Sequence, residues 1–161
     1  MAGPYTYRLR TVDVHVSDDF PRDGEILGDP QVVGEFLLRR IRDLDADQEH
    51  FLILAVDDRH RLIGIKNTAS GTGTACPVDP KRIFRLGLEF GASALILAHN
   101  HPSGQLEPSA DDIALTRRLV RAGEIVGIKI CDHIITGGRD QWLSLHQSRP
   151  GLFSWSAGHQ D

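Results

Sequence analysis

Ala92 to Ala98 (Ala-Ser-Ala-Leu-Ile-Leu-Ala) is a short, continuously apolar run that follows a helical pattern ending at Gly91. A strand of that kind is buried on both faces, which requires helices packed on either side of a sheet. The fold class expected is therefore α/β. The run empties into His99-Asn100-His101 and, seven residues on, Ser109-Ala110-Asp111-Asp112. Open α/β sheets bind ligands at the carboxyl ends of their strands, so His99 stands where chemistry is expected.

The other elements follow from spacing and punctuation. Tyr5 to Val16 alternates in its second half and reads as a strand, and Asp18 to Gly28 as a loop. Asp29-Pro30 is a cap followed by proline at the first helical position; Val33, Phe36, Leu37, Arg40, Ile41 and Leu44 then recur at helical spacing to about Asp45. Glu49 to Val56 and Arg61 to Lys66 form a hairpin around Asp57-Asp58-Arg59-His60, and Thr68 to Cys76 reads as loop plus a short strand. Asp79-Pro80 repeats the cap before a helix carrying Ile83, Leu86 and Phe90. Pro108-Ser109 opens a third helix carrying Ile113, Thr116, Leu119 and Val120, which Gly123 should close. Ile125 to Thr136 is the next strand, and Trp142 to Leu145 a last short one. The boundaries expected are 1–28 for an N-terminal strand and loop, 29–146 for the domain, and 147–161 for a tail whose Leu152, Phe153 and Trp155 are apolar enough to dock on a partner.

A chain of 161 residues, 40% hydrophobic and 25% charged, suits one globular domain rather than disorder. Its net charge of −4 disfavours a dedicated nucleic-acid binder, and the clusters Arg39, Arg40, Arg42 and Arg117, Arg118, Arg121 read as solvated helix faces. The two cysteines, Cys76 and Cys131, have no Cys-x-x-Cys spacing and read as reduced, buried thiols. With no long apolar stretch and no signal pattern, a soluble cytoplasmic protein without membrane contact is expected.

Two readings fit the His-x-His-x7-Ser-x-x-Asp string. Histidines at i and i+2 leaving a strand point the same way, and Asp112 lies one helical turn after Ser109. Two imidazoles and a carboxylate make a three-ligand zinc site with its fourth position open, and zinc lowers the pKa of a bound water to about 7. Such a site also wants a second carboxylate as general base. The other reading is plain: Ser-x-x-Asp after proline is a capping box that needs no metal. Other metal enzymes fail on spacing. The HNH nucleases are named for dispersed residues, the zinc deaminases need His-x-Glu with Pro-Cys-x-x-Cys, and His-Glu-x-x-His is absent.

His99-Asn100-His101-Pro102-Ser103-Gly104 with Pro108-Ser109-Ala110-Asp111-Asp112 resembles the JAMM (MPN+/JAB) metalloprotease motif in its RadC-like form. Glu49-His50-Phe51, Asp79-Pro80-Lys81-Arg82-Ile83 and Asp132-His133-Ile134-Ile135 support the likeness, which spans approximately Pro30 to Leu145. The resemblance implies a three-layer α/β/α domain with a mixed central sheet, related to cytidine deaminases. It implies zinc held by His99, His101 and Asp112, Glu49 as general acid/base, and Ser109 supporting the tetrahedral oxyanion. The implied reaction is hydrolysis of a peptide or isopeptide bond in a peptide or protein-conjugate substrate. On that resemblance zinc would polarise the carbonyl, and Glu49 would take a proton from water and return it to the leaving amine.

Glu107 is the local rival to Glu49, but it sits in the loop between the metal ligands. His133, beside Asp132, fits either a hydrogen bond to a ligand or a satisfied strand-end histidine, and is left outside the site. Asn100 and Ser103 read as loop-shaping residues. Longer RadC proteins carry an N-terminal helix-hairpin-helix segment associated with DNA, whereas the residues before Asp29 read as strand and loop. A DNA-repair role and a non-catalytic binding module are the competing functions.

Overall fold

In the computed structural model, residues 24–71, 78–138 and 140–154 are described. The strand expected within Tyr5 to Val16, Cys76 and Trp155 lie outside them. The elements are α1 (Pro30–Ile41), β1 (Glu49–Val56), β2 (Leu62–Gly71), α2 (Pro80–Glu89), β3 (Ala94–Asn100), α3 (Ala110–Val126), β4 (Lys129–Thr136), β5 (Trp142–Ser144), α4 (Leu145–Ser148) and a 3-10 turn, Pro150–Leu152. Asp29 and Asp79 cap α1 and α2 by accepting from the backbone N–H two residues on, at 2.7 and 3.0 Å. Proline follows each at the position where a missing N–H removes no helical bond. No described helix is long and apolar enough to cross a membrane.

The strands form one mixed sheet in the order β2-β1-β3-β4-β5, with only β3 and β4 parallel. All seven residues of β3 are buried, as its apolar run requires. Alternation divides them between two cores. Leu95 and Leu97 join Phe51 and Ile53 of β1 beneath Ile83 and Phe84 of α2 and Leu119 and Val120 of α3. Ala94, Ile96 and Ala98 join Leu52 and Leu54 beneath Val33, Phe36 and Leu37 of α1. The result is the three-layer α/β/α domain expected. Parallel pairing of β3 with β4 demands a crossover, and α3 supplies it on the first of these faces.

Several boundaries differ from the sequence reading. Helix α1 ends at Ile41, and Leu44 continues only as a turn bonded to the Ile41 carbonyl at 2.9 Å. Strand β2 extends through Thr68 to Gly71, held by pairing with β1 down to Glu49. Helix α3 does not stop at Gly123. It runs to Val126 and closes on Gly127 at φ 82°, the left-handed conformation glycine adopts without strain. Ile125 therefore lies in the helix, not in a strand, and is 88% exposed. Leu145 begins α4 rather than ending β5. Residues 147–154 of the segment expected as a tail fold back instead: Leu152 is buried, and Phe153 packs with it against Ile135 and Leu145.

Gly123 is small for a reason of packing. A Cβ there would lie 2.4 Å from the Ile128 carbonyl oxygen, where the chain turns into β4. Alanine gains about 1 kcal/mol of helix propensity over glycine, but overpacking against fixed backbone costs ~1–3 kcal/mol. Gly123→Ala is therefore expected to lower the free energy of unfolding by up to about 2 kcal/mol in a urea titration. A stabilised variant would show that the α3–β4 junction has room to separate.

Candidate metal centre

The site is assembled at the carboxyl end of β3. His99 is fully buried, and His101 follows it out of the sheet, its N–H bonded to the Thr136 carbonyl at 2.9 Å. Gly104, at φ 79°, donates back to the His101 carbonyl at 2.9 Å and closes a tight turn. The third group arrives with α3. Its N-terminus is a complete capping box: Asp112 N–H donates to Ser109 Oγ at 3.1 Å, and Ser109 N–H donates to Asp112 Oδ2 at 2.7 Å. The same carboxylate faces His99 Nε2 at 3.3 Å through Oδ1 and His101 Nε2 at 3.4 Å through Oδ2. The capping box of the Ser-x-x-Asp string is therefore present, and its carboxylate also lies within reach of both imidazoles.

The donor set fits a metal ion. His99 Nε2 and His101 Nε2 are 2.8 Å apart, which completes a triangle with the Asp112 oxygens. A tetrahedral zinc ion with bonds of about 2.0–2.1 Å sets its ligand atoms roughly 3.3 Å from one another, close to these edges. The chemistry of His101 agrees. Its Nδ1–H donates to the Gln105 carbonyl at 2.8 Å, which turns Nε2 into the triangle, towards Asp112. The hydrogen bond with Asp112 raises the His101 pKa, while burial opposes the shift. Burial alone would push the Asp112 carboxyl up. Its contacts with His101, His99 and Ser109 outweigh that and hold it well below the usual carboxylate range.

The triangle opens into a cleft of about 680 Å³ lined by Glu49, Phe51, His101, Ser109 and Asp112 among others. Sheet register brings Glu49 there. Phe51 of β1 pairs with His99 of β3, so Glu49, two residues earlier, emerges on the same face of the sheet. Glu49 is half-buried, and its charge contributes to the raised His101 pKa. Glu107 reaches the same cleft but is exposed and paired with Arg149 at 2.7 Å. Ser109 lies at the rim with its Oγ accepting the cap bond, and its hydroxyl hydrogen is still available to donate.

Two residues set aside in the sequence reading belong to the site's support. Asn100 Oδ1 accepts from His50 N–H at 2.8 Å, and its Nδ2 donates to the Gln48 carbonyl at 2.8 Å. It thus clamps the backbone on both sides of Glu49. His133 meets His99 directly, Nε2 to Nδ1 at 2.8 Å. Asp132 serves the sheet edge instead, accepting from His133 N–H, His146 N–H and Ser144 Oγ and so tying β4 to β5 and α4. The chemical character of Asn100 and His133 was a signal, but their partners lie far away in sequence.

Fold and cluster together define a three-layer α/β domain whose central strand delivers a His-His-carboxylate group of the metal-ligating type. The sequence profile of the RadC-like JAB domain matches residues 27–151, and the chain belongs to that family. It is 41% identical over 108 residues to a UPF0758 protein of Desulforamulus reducens, covering 67% of this chain and 47% of that protein. To a UPF0758 protein of Pseudomonas fluorescens it is 41% identical over 119 residues, covering 74% and 52%. To one of Desulforudis audaxviator it is 47% identical over 91 residues, covering 56% and 40%. The chain spans about half the length of the curated relatives it matches.

Two measurements follow from this geometry. Asn100→Ala leaves the buried His50 N–H without an acceptor, so stability should fall by about 1–3 kcal/mol, while zinc uptake stays at wild-type stoichiometry. Loss of zinc with unchanged stability would contradict the clamp. A protonated imidazole cannot ligate, and Asp112 raises the His101 pKa, so metal must displace that proton. Zinc affinity in calorimetric titrations should fall as pH is lowered through neutrality, with proton release on binding; a pH-independent affinity would exclude His101 as ligand.

Proposed function

We propose that this chain is a zinc-dependent hydrolase of peptide or isopeptide bonds, with His99, His101 and Asp112 as ligands and Glu49 as general acid/base. The observation that carries the reading is the convergence of three electron-rich donors, 2.8–3.4 Å apart, in the cleft that also holds Glu49. Bound there, zinc would supply Lewis acidity to a carbonyl and bring the pKa of a water to about 7.

Around it the chain's own groups divide the work. Glu49, fixed by the Asn100 clamp at the start of β1, takes a proton from the attacking water and passes it to the departing amine. Ser109, whose oxygen is held by the Asp112 N–H, turns its hydroxyl hydrogen towards the oxygen that gains charge. Phe51 stacks beside His99 with ring planes 11° apart and keeps water from the ligand's inner side.

A DNA-associated role is disfavoured by the cleft itself, where Asp47, Glu49, Glu107, Asp111 and Asp112 gather five carboxylates that repel a phosphate backbone. A non-catalytic module would keep the ligands without using Glu49. That difference gives the experiment. Glu49→Gln should retain one zinc per chain and lose hydrolysis of a peptide and protein-conjugate panel by a factor of about 10²–10⁴. His99→Ala or His101→Ala should lose the metal itself. Full activity of Glu49→Gln would sink the general-base assignment, and zinc occupancy without turnover on any substrate would favour the binding module.

A further inference from the structure

His133 lies fully buried on β4, the strand next to that of His99, and meets Thr116, one turn of α3 after Asp112. Its two ring nitrogens have partners of opposite kind. Thr116 Oγ1 stands 2.6 Å from His133 Nδ1 and also 2.6 Å from the Asp112 carbonyl oxygen. A carbonyl only accepts, so the single hydroxyl hydrogen of Thr116 is committed to Asp112. Thr116 must then accept, and His133 Nδ1 carries the proton. His133 Nε2 is left with its lone pair and accepts from His99 Nδ1–H at 2.8 Å. His99 Nε2 is thereby the bare nitrogen, aimed at His101 and Asp112.

We propose that Thr116 and His133 are positioning residues for the metal centre: the chain Asp112 carbonyl, Thr116 hydroxyl, His133 ring fixes His99 in the tautomer that presents Nε2 to a metal ion. The proposal rests on reading His99 as a ligand. Its direction is set at one end by a backbone carbonyl, which cannot reverse its role. Phe51 seals the arrangement, stacked beside His99 and edge-on to His133 with centroids 5.5 Å apart. Both ends of the chain belong to ligands, since Asp112 contributes its carbonyl to the relay and its carboxylate to the triangle.

Thr116→Val keeps the shape of the side chain and removes its oxygen. His133 Nδ1–H then has no acceptor, and the ring gains by moving its proton to Nε2, where it donates to His99 Nδ1. His99 Nε2 becomes protonated and is lost as a donor. Ring-nitrogen NMR of the metal-free full chain should show His99 and His133 both protonated at Nδ1 in the wild type and in Thr116→Ser, and both at Nε2 in Thr116→Val. Zinc affinity measured by chelator competition should fall roughly 10–100-fold in Thr116→Val and recover in Thr116→Ser. A merely structural Thr116 would lower the melting temperature and leave the tautomers unchanged, and that result overturns the proposal. So does wild-type zinc affinity in Thr116→Val. If the wild-type chain takes up no zinc, the metal reading falls and the tautomers alone decide the relay.

Discussion

An imidazole with no contact to water needs a partner on each ring nitrogen, and His99 is such an imidazole at the end of a wholly buried strand. The rest of the domain is arranged around that requirement. On one side the sheet must offer a neighbour, and parallel pairing of β3 with β4 brings His133 beside it. On the other side the chain must return from His101 with a negative group, and the capped start of α3 delivers Asp112. The crossover helix that the parallel pair demands is thus also the element that completes the site.

Asp112 shows how little separates a structural residue from a functional one here. A capping box stabilises its helix by about 0.5–2 kcal/mol, and acidic groups in a first turn favour the helix dipole besides. Neither effect needs histidines nearby. Yet the carboxylate that accepts from Ser109 N–H has both oxygens within 3.4 Å of an imidazole nitrogen. The cap sets the rotamer in advance, so the carboxylate is already placed against both imidazoles without an ion. Pre-organisation of this kind lets binding free energy go into affinity rather than into ordering side chains.

Much of this was legible in the sequence because the signals are local. Asp-Pro caps start α1 and α2, the unbroken apolar run defines β3, and Ser109 starts α3 where the Pro-Ser pair said it would. The His-His-Asp cluster was legible for the same reason, since His99, His101 and Asp112 lie within one short string. Misreadings came where a local signal was overruled by packing. Gly123 reads as a helix stop, but it is a site of close approach to the Ile128 carbonyl, and the real stop is Gly127. Ile125 reads as strand, but its apolar side chain simply faces out from the last turn of α3. Asn100 and His133 were illegible as supports because their partners are 50 and 34 residues distant, and only sheet register brings them together.

That register carries a wider consequence. Glu49, Phe51, His99 and His133 occupy one face of adjacent strands, with polar residues at the carboxyl end of β3 and an apolar ring between them. A slip of one residue between β1 and β3 would turn Glu49 to the α1 face and move Phe51 away from His99. β1 is apolar on both faces, so shape rather than polarity opposes that slip: it would exchange Leu52 and Leu54 with Phe51 and Ile53 between two cores packed around the native set. The side-chain packing that folds the sheet therefore also holds the carboxylate opposite the histidines. In this domain the register energy of the core and the geometry of the site are the same constraint.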